Sequence, residues 1–290
     1  MNLWRFIMKN GFVSVMFVGL FASSVSTAVQ SSVLDEVLAA QPPEVQARYV
    51  YRHSKETLEF FGIEPGMTVV EGLPGAGWYS KILLPYLGAD GVLIGADYAE
   101  DMYPLFGFFS QERLDAKKTW VVDWTADANS WRKPGDATVK AFQFGAMPDE
   151  LVGTADAVLL IRALHNLARF ENDGGYLTAA LRDVFKSLKP GGVVGVVQHM
   201  AREDMPDKWA DGSRGYLKQA FVIEQMTKAG LVFEASSDIN HNPADRPTTE
   251  DIVWRLPPGY ATSRNNAELR AQMQAIGESN RMTLRFRKPR

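Results

Sequence analysis

Residues 70–77 read Val-Glu-Gly-Leu-Pro-Gly-Ala-Gly, an apolar run that ends in a carboxylate and passes straight into a glycine turn. A glycine carries no β-carbon, so Gly75 and Gly77 let backbone approach a ligand that a side chain would block. Glu71, at the mouth of the turn, offers negative charge to a cationic group. Asp97 ends a second apolar run, Gly91 to Asp97 (GVLIGAD), in position to accept hydrogen bonds from ribose hydroxyls. Trp78 and Tyr79 follow the turn and are the aromatic residues expected beside a ligand. Further along, Arg162-Ala163-Leu164-His165-Asn166 and Gln198-His199 each follow an apolar run. An imidazole titrates near neutral pH, so His165 or His199 could take a proton from an oxygen or nitrogen nucleophile. His165 is the better candidate for that base. Arg162, Asn166 and His199 join Trp78 and Tyr79 as candidate substrate-binding residues. The plainer alternative is that these histidines only hydrogen-bond loops or one another. No two of His53, His165 and His199 have the close spacing of a helical metal motif, so no metal site is expected. No G-x-S-x-G elbow is present to supply a hydrolase nucleophile.

These groups need strands to carry them. Met67 to Glu71, Gly91 to Asp97 and Val193 to Gln198 are short apolar runs fit for buried strands, and Val139 to Phe144, Ala155 to Ile161 and Leu231 to Ser236 read as three further strands. Helical patterning lies between them, at 78–87, 111–131, 174–188 and 216–229, and also at 33–40, 43–61 and 266–278. Strands alternating with helices make a parallel sheet with helices on both faces. Right-handed crossovers then line the strand C-termini along one rim, where ligands bind. Met282 to Lys288 (MTLRFRK) alternates apolar and polar residues, which predicts an antiparallel edge strand. All four histidines fall at rim or loop positions.

The ordered set of Glu71, Gly75, Gly77 and Asp97 resembles the nucleoside site of class I S-adenosylmethionine-dependent methyltransferases. That resemblance assigns Glu71 to the acid ending strand one, Gly75 and Gly77 to the glycine loop, and Asp97 to the ribose-binding acid. Leu188-Lys189-Pro190-Gly191-Gly192 resembles the family's turn into strand five, and Met282 to Lys288 its antiparallel C-terminal strand. The matches run in order over residues 45–290. Leu73 stands where the family has its first loop glycine, and Pro74 stiffens the turn. Residues 71–79 together with Arg162 to Asn166 are similar to a bacterial subgroup of predicted methyltransferases that often carry export signals. The resemblance implies a Rossmann-like, doubly wound α/β fold. Its mainly parallel seven-stranded sheet would have an antiparallel C-terminal strand and an N-terminal helical extension over 29–62. It implies S-adenosyl-L-methionine as cofactor and methyl transfer to an unidentified small-molecule acceptor. An exported, non-catalytic binding protein on the same fold is the alternative from another class. An NAD-dependent oxidoreductase is a third reading, since Gly75 to Ser80 spells G-x-G-x-x-S. Glu71 weighs against it, because a carboxylate there repels a pyrophosphate.

The chain has 290 residues, a net charge of −3 and no cysteine. No basic excess draws a nucleic acid, and disulfides, cysteine nucleophiles and thiolate metal sites are excluded. Residues 1–9 hold Arg5 and Lys9 and no acid, Gly11 to Ala22 is uncharged and apolar, and Ser26-Thr27-Ala28 suits a signal peptidase. Residues 1–28 therefore read as a cleaved signal, residues 29–290 as one domain, and the protein as exported to the periplasm with no stable membrane insertion after cleavage. Anchoring through residues 11–28 is the alternative, although the run is short beside the ~20 residues of a span. Export conflicts with a cofactor made in the cytoplasm. The oligomeric state is left open.

Overall fold

A computed structural model describes residues 32–290, so the expected signal segment 1–28 lies outside the described residues. Each apolar run becomes a strand: β1 (Thr68–Gly72), β2 (Val92–Asp97), β3 (Thr138–Gln143), β4 (Ala155–Ile161), β5 (Leu188–Ala201), β6 (Leu217–Lys218), β7 (Val232–Ser237) and β8 (Arg281–Arg287). The sheet runs in the order β3-β2-β1-β4-β5-β8-β7, with short β6 paired to the end of β5. The pairs from β3 to β5 are parallel, and β8 runs antiparallel to both β5 and β7. Order reverses at β1, whose neighbours are β2 and β4, and the glycine turn leaves the sheet there. Such a switch point opens a crevice at the carboxyl ends of the strands.

The central strands β1, β2, β4 and the middle of β5 are apolar because helices cover both faces, whereas β3 and β7 at the ends of the sheet carry exposed residues. Val70, Ile94, Val158, Leu160, Val194 and Val196 pack to one side with the helix Tyr176–Ser187. Val69, Leu93, Ala157, Leu159 and Val197 face the other. Neighbours in sequence thus enter opposite cores, as the period of a strand requires. The second core also takes Leu34, Leu38, Leu58 and Phe61, so the N-terminal extension forms part of the domain's interior. Tyr49 secures it by donating to the Leu38 carbonyl (3.0 Å), and Gln41 by donating to the Lys81 carbonyl (3.2 Å).

Several elements differ from their sequence patterns. The stretch 43–61 is three short helices, Pro43–Gln46, Tyr49–Arg52 and Ser54–Phe61, and the last two are separated by His53 in the left-handed conformation at φ 41°. The stretch 111–131 divides at Thr119 into Gln111–Lys118 and Trp120–Trp131. The run expected to be helical from 216 opens as β6, with its helix at Gln219–Lys228. Among the described residues this makes eight strands rather than seven. Strand β8 is antiparallel as expected, but it lies inside the sheet, and β7 is the edge. Its polar residues face protein partners. Arg285 Nη1 donates to the Phe60 carbonyl (2.7 Å) and Arg287 Nη1 to the Gly191 carbonyl (2.8 Å). Alternation here reports paired arginines, not a solvated face.

Candidate functional site at the sheet rim

The β1 and β2 acids stand at adjacent strand ends, as the alternation of strands and helices demanded. Glu71 lies beside Gly95 of β2 and Leu159 of β4 in the register. It is 5% exposed, and Ser80 Oγ donates to its Oε2 at 2.6 Å. Burial raises its pKa to about 7, partly offset by the Ser80 hydrogen bond. Near neutral pH the charge expected at the mouth of the turn is therefore only partly present.

The turn itself mixes packing with open space. Leu73 has φ 56°, so the position keeps the left-handed backbone that favours glycine while adding an isobutyl group. Its amide donates to the Ala96 carbonyl (2.7 Å), which ties the turn to β2. A β-carbon at Gly77 would stand 2.4 Å from the Trp131 ring, so this glycine is required by packing. At Gly75 nothing lies within 4 Å of the β-carbon position, which leaves the backbone there open to a ligand. Tyr79 belongs to the second core and Trp78 packs against it. Their rings meet edge to face at 4.8 Å, and the Arg52 guanidinium lies 4.3 Å over the Trp78 ring.

Asp97 is buried and fully engaged by protein groups. The Tyr98 amide donates to Oδ1 (2.9 Å), the Tyr103 hydroxyl donates to Oδ2, and Lys117 Nζ lies 3.5 Å from Oδ2. The two tyrosines come from the aromatic segment after β2, in which Tyr98, Tyr103, Phe106 and Phe109 pack ring against ring, and Lys117 from the helix Gln111–Lys118. The Tyr103 hydroxyl makes the bond that a ribose hydroxyl would make. The donors and acceptors thus fit an adenosyl group in kind: open backbone at Gly75, and a carboxylate whose present partner is an exchangeable hydroxyl.

At the ends of β4 and β5, Arg162, His165 and His199 meet around a cavity of about 260 Å³, with Leu73, Trp254 and Glu278 also in its wall. Arg162 has φ 60°, a strained conformation for a side chain of its size, and its amide donates to the Val197 carbonyl (2.6 Å). The imidazole rings of His165 and His199 lie 5.6 Å apart. Burial lowers the His165 pKa to about 4, and burial with the neighbouring His165 and Arg162 holds His199 well below its usual value. Both rings are therefore neutral at pH 7. His199 Nδ1 hydrogen-bonds Ser279 Oγ, whereas His165 Nδ1 is buried without a partner. Asn166 donates to the Tyr98 hydroxyl (3.0 Å) and lines a neighbouring cavity of about 450 Å³ that shares Trp254 in its wall. His53 and His241 stand apart, the first between two helices and the second 3.2 Å from Asp238.

Sequence reasoning missed Tyr103 and Lys117 at Asp97. It also did not bring together Arg52, Glu278 and Arg281 at the cavity. Glu278 and Arg52 are 226 positions apart, and no local pattern joins them. A larger cavity of about 870 Å³, beside Ala99, Gln143 and Gly145 at the ends of β2 and β3, was also not anticipated. Among the described residues, no group of His, Asp and Glu is arranged to hold a metal ion, and no helix is long and apolar enough to cross a membrane.

No protein-family model matches the sequence, and a search of curated proteins finds no match. Solved structures do match. The [4+2]-cyclase SpnF aligns at 17% identity with a TM-score of 0.50, over 82% of this chain and 80% of that one. A SAM-dependent methyltransferase from Aquifex aeolicus aligns at 16% identity and TM-score 0.45, over 71% of this chain and 93% of its own. An arsenic(III) S-adenosylmethionine methyltransferase from Chlamydomonas reinhardtii aligns at 15% identity and TM-score 0.44, over 90% and 74%. The alignment with the cyclase and the observed strand order agree on the architecture, a Rossmann-like, mainly parallel sheet extended by antiparallel strands, which is the fold that the resemblance implied.

Proposed function

We propose that the protein transfers a methyl group from S-adenosylmethionine to a small-molecule acceptor. The observation that carries this reading is the ordered rim: Glu71 ending β1, open backbone at Gly75, Asp97 ending β2, and next to them a cavity walled by Arg162, His165 and His199. Gly75 would admit the cofactor, Asp97 would hold its ribose in place of Tyr103, and Glu71 would face its methionyl end. When bound, the cofactor would supply a sulfonium methyl for in-line displacement by an acceptor atom. The protein's part is alignment and exclusion of water. His165, with its pKa near 4, would hold a proton only weakly, so it suits an acceptor whose proton is already acidic or absent.

A second reading, a non-catalytic binding protein on this fold, draws support from the Tyr103–Asp97 bond and from the Leu73 side chain in the glycine loop. Calorimetry against S-adenosylmethionine, S-adenosylhomocysteine and NAD separates the readings. Binding of the first two supports methyl transfer. Binding of neither at millimolar concentration leaves the non-catalytic reading.

Export belongs to the same proposal. N-terminal sequencing of the protein from its native host should begin at or near Val29. A soluble cytoplasmic protein that keeps Met1 would reject it.

A further inference from the structure

Behind the rim cavity, guanidinium groups crowd around one carboxylate. Glu278 pairs with Arg48, with Arg52 (Nε to Oε1, 3.3 Å) and with Arg281 (Nη1 to Oε2, 3.3 Å). Arg162 is the fourth guanidinium, and it lines the cavity together with Glu278. Arg52, Arg281 and Glu278 are each no more than 5% exposed. Buried charge is stable only when it is paired and hydrogen-bonded. Among the described residues, three of these cations pair with Glu278, while Arg162 lines the cavity beside it with no ion pair of its own. Arg52 Nη1, Arg162 Nε and Arg281 Nε are buried without acceptors, and so is His165 Nδ1 on the same cavity wall. Burial lowers the Arg162 pKa, with Glu278 acting against it and Arg281 adding to it. The cluster therefore has both unmet positive charge and unmet hydrogen-bonding capacity next to an empty space.

The rest of the wall selects among anions. Leu73, Ile161, Val253, Trp254 and Leu256 give the cavity apolar sides, and its volume is about 260 Å³. A compact apolar body with one charged end fills such a space. Glu278 in the wall disfavours a second negative charge on the ligand. The flat guanidinium fork matches a carboxylate.

We propose that this cavity binds a small monocarboxylate with an apolar body, its carboxylate on Arg162 and its body against Trp254 and Leu73. That this ligand is the methyl acceptor rests on the methyl-transfer reading above.

The test uses the full chain and benzoate as probe, followed by calorimetry and by tryptophan fluorescence, since Trp254 lines the cavity. Benzoate should bind saturably, with benzamide and inorganic phosphate at least tenfold weaker. Arg162→Asn should weaken benzoate at least tenfold, because asparagine tolerates the left-handed backbone but lacks the fork. Arg162→Lys should fall between it and the native protein. Equal binding of benzoate and benzamide, tighter binding of phosphate, or no benzoate binding overturns the proposal. That comparison uses the native protein alone, so it stands even if a variant misfolds. S-adenosylhomocysteine should bind equally well with benzoate present. If it displaces benzoate competitively, Arg162 belongs to the cofactor's own carboxylate and the proposal falls. If benzoate binds as expected while no adenosyl ligand binds, the carboxylate site stands and the methyl-transfer reading alone is lost.

Discussion

The Tyr103 hydroxyl donates to the Asp97 carboxylate at the end of β2, where a ribose hydroxyl would donate in a bound cofactor. Tyr103 comes from the short helical segment Glu100–Phe106, only six positions after Asp97. A local aromatic segment therefore competes with the proposed ligand for one carboxylate, and the two can be separated by mutation. Tyr103→Phe should tighten S-adenosylhomocysteine by up to about 1 kcal/mol, the net scale of one hydrogen bond. Asp97→Ala should weaken it by about 1–3 kcal/mol, the scale for bonds to a charged group. Calorimetry on both variants, after circular dichroism has shown them folded, should give opposite signs. Equal affinities in the two would remove Asp97 from the ligand site.

Glu71 should make stability depend on pH in the direction opposite to most carboxylates. Burial raises its pKa from 4.5 to about 7, so the folded state holds a proton that the unfolded state has released. Its contribution is fully present below about pH 4.5 and is lost as pH rises through about 7. Glu71→Gln keeps an acceptor for Ser80 and removes the titration. Its stability relative to the native protein should improve across that window, by an amount on the order of 3 kcal/mol. Urea unfolding at pH 4.5 and 7.5 measures this, and an advantage that does not change with pH would refute the assignment.

His165 should act with the opposite sign. Its pKa falls from 6.5 to about 4, chiefly through burial, so its contribution is fully present above about pH 6.5 and is lost as pH falls toward 4. The loss is on the order of 3 kcal/mol for this one group. His165→Gln should flatten the acid limb of the stability curve. In the native protein the Glu71 and His165 slopes partly cancel between pH 4.5 and 6.5, so the single variants reveal what the native curve conceals. A His165→Gln curve parallel to the native one would show that His165 is not buried neutral.

The two glycines of the turn should separate stability from binding. Gly77→Ala drives a β-carbon to 2.4 Å from Trp131 at φ 77°, which should cost about 1–3 kcal/mol through overpacking alone. Gly75→Ala meets open space at φ 55° and should cost only about 1 kcal/mol of backbone strain. Its main effect should be weaker binding of the adenosyl ligand. Thermal melts and calorimetry on the two variants check this, and a Gly75→Ala protein that binds at native affinity would take the turn out of the site.

The sequence by itself determined most of the strands and the rim that their carboxyl ends form. A strand covered on both faces has to be apolar throughout, and a turn that leaves β1 into a helix calls for glycine, so these features are written locally. It also marked His165 and His199 as rim residues, one after β4 and the other near the end of β5. Tertiary structure alone decided the rest. Arg48, Arg52 and Arg281 converge on Glu278 only because the N-terminal extension packs against the start of β8, and the end of β4 brings Arg162 to the same cavity. The alternation in β8 could not reveal that it lies inside the sheet, because its arginines reach acceptors contributed by distant segments. The state of each charge was equally hidden. Glu71 half-neutral and His165 fully neutral at pH 7 are consequences of burial, which depends on what the fold stacks over a residue and not on the residues beside it in the chain.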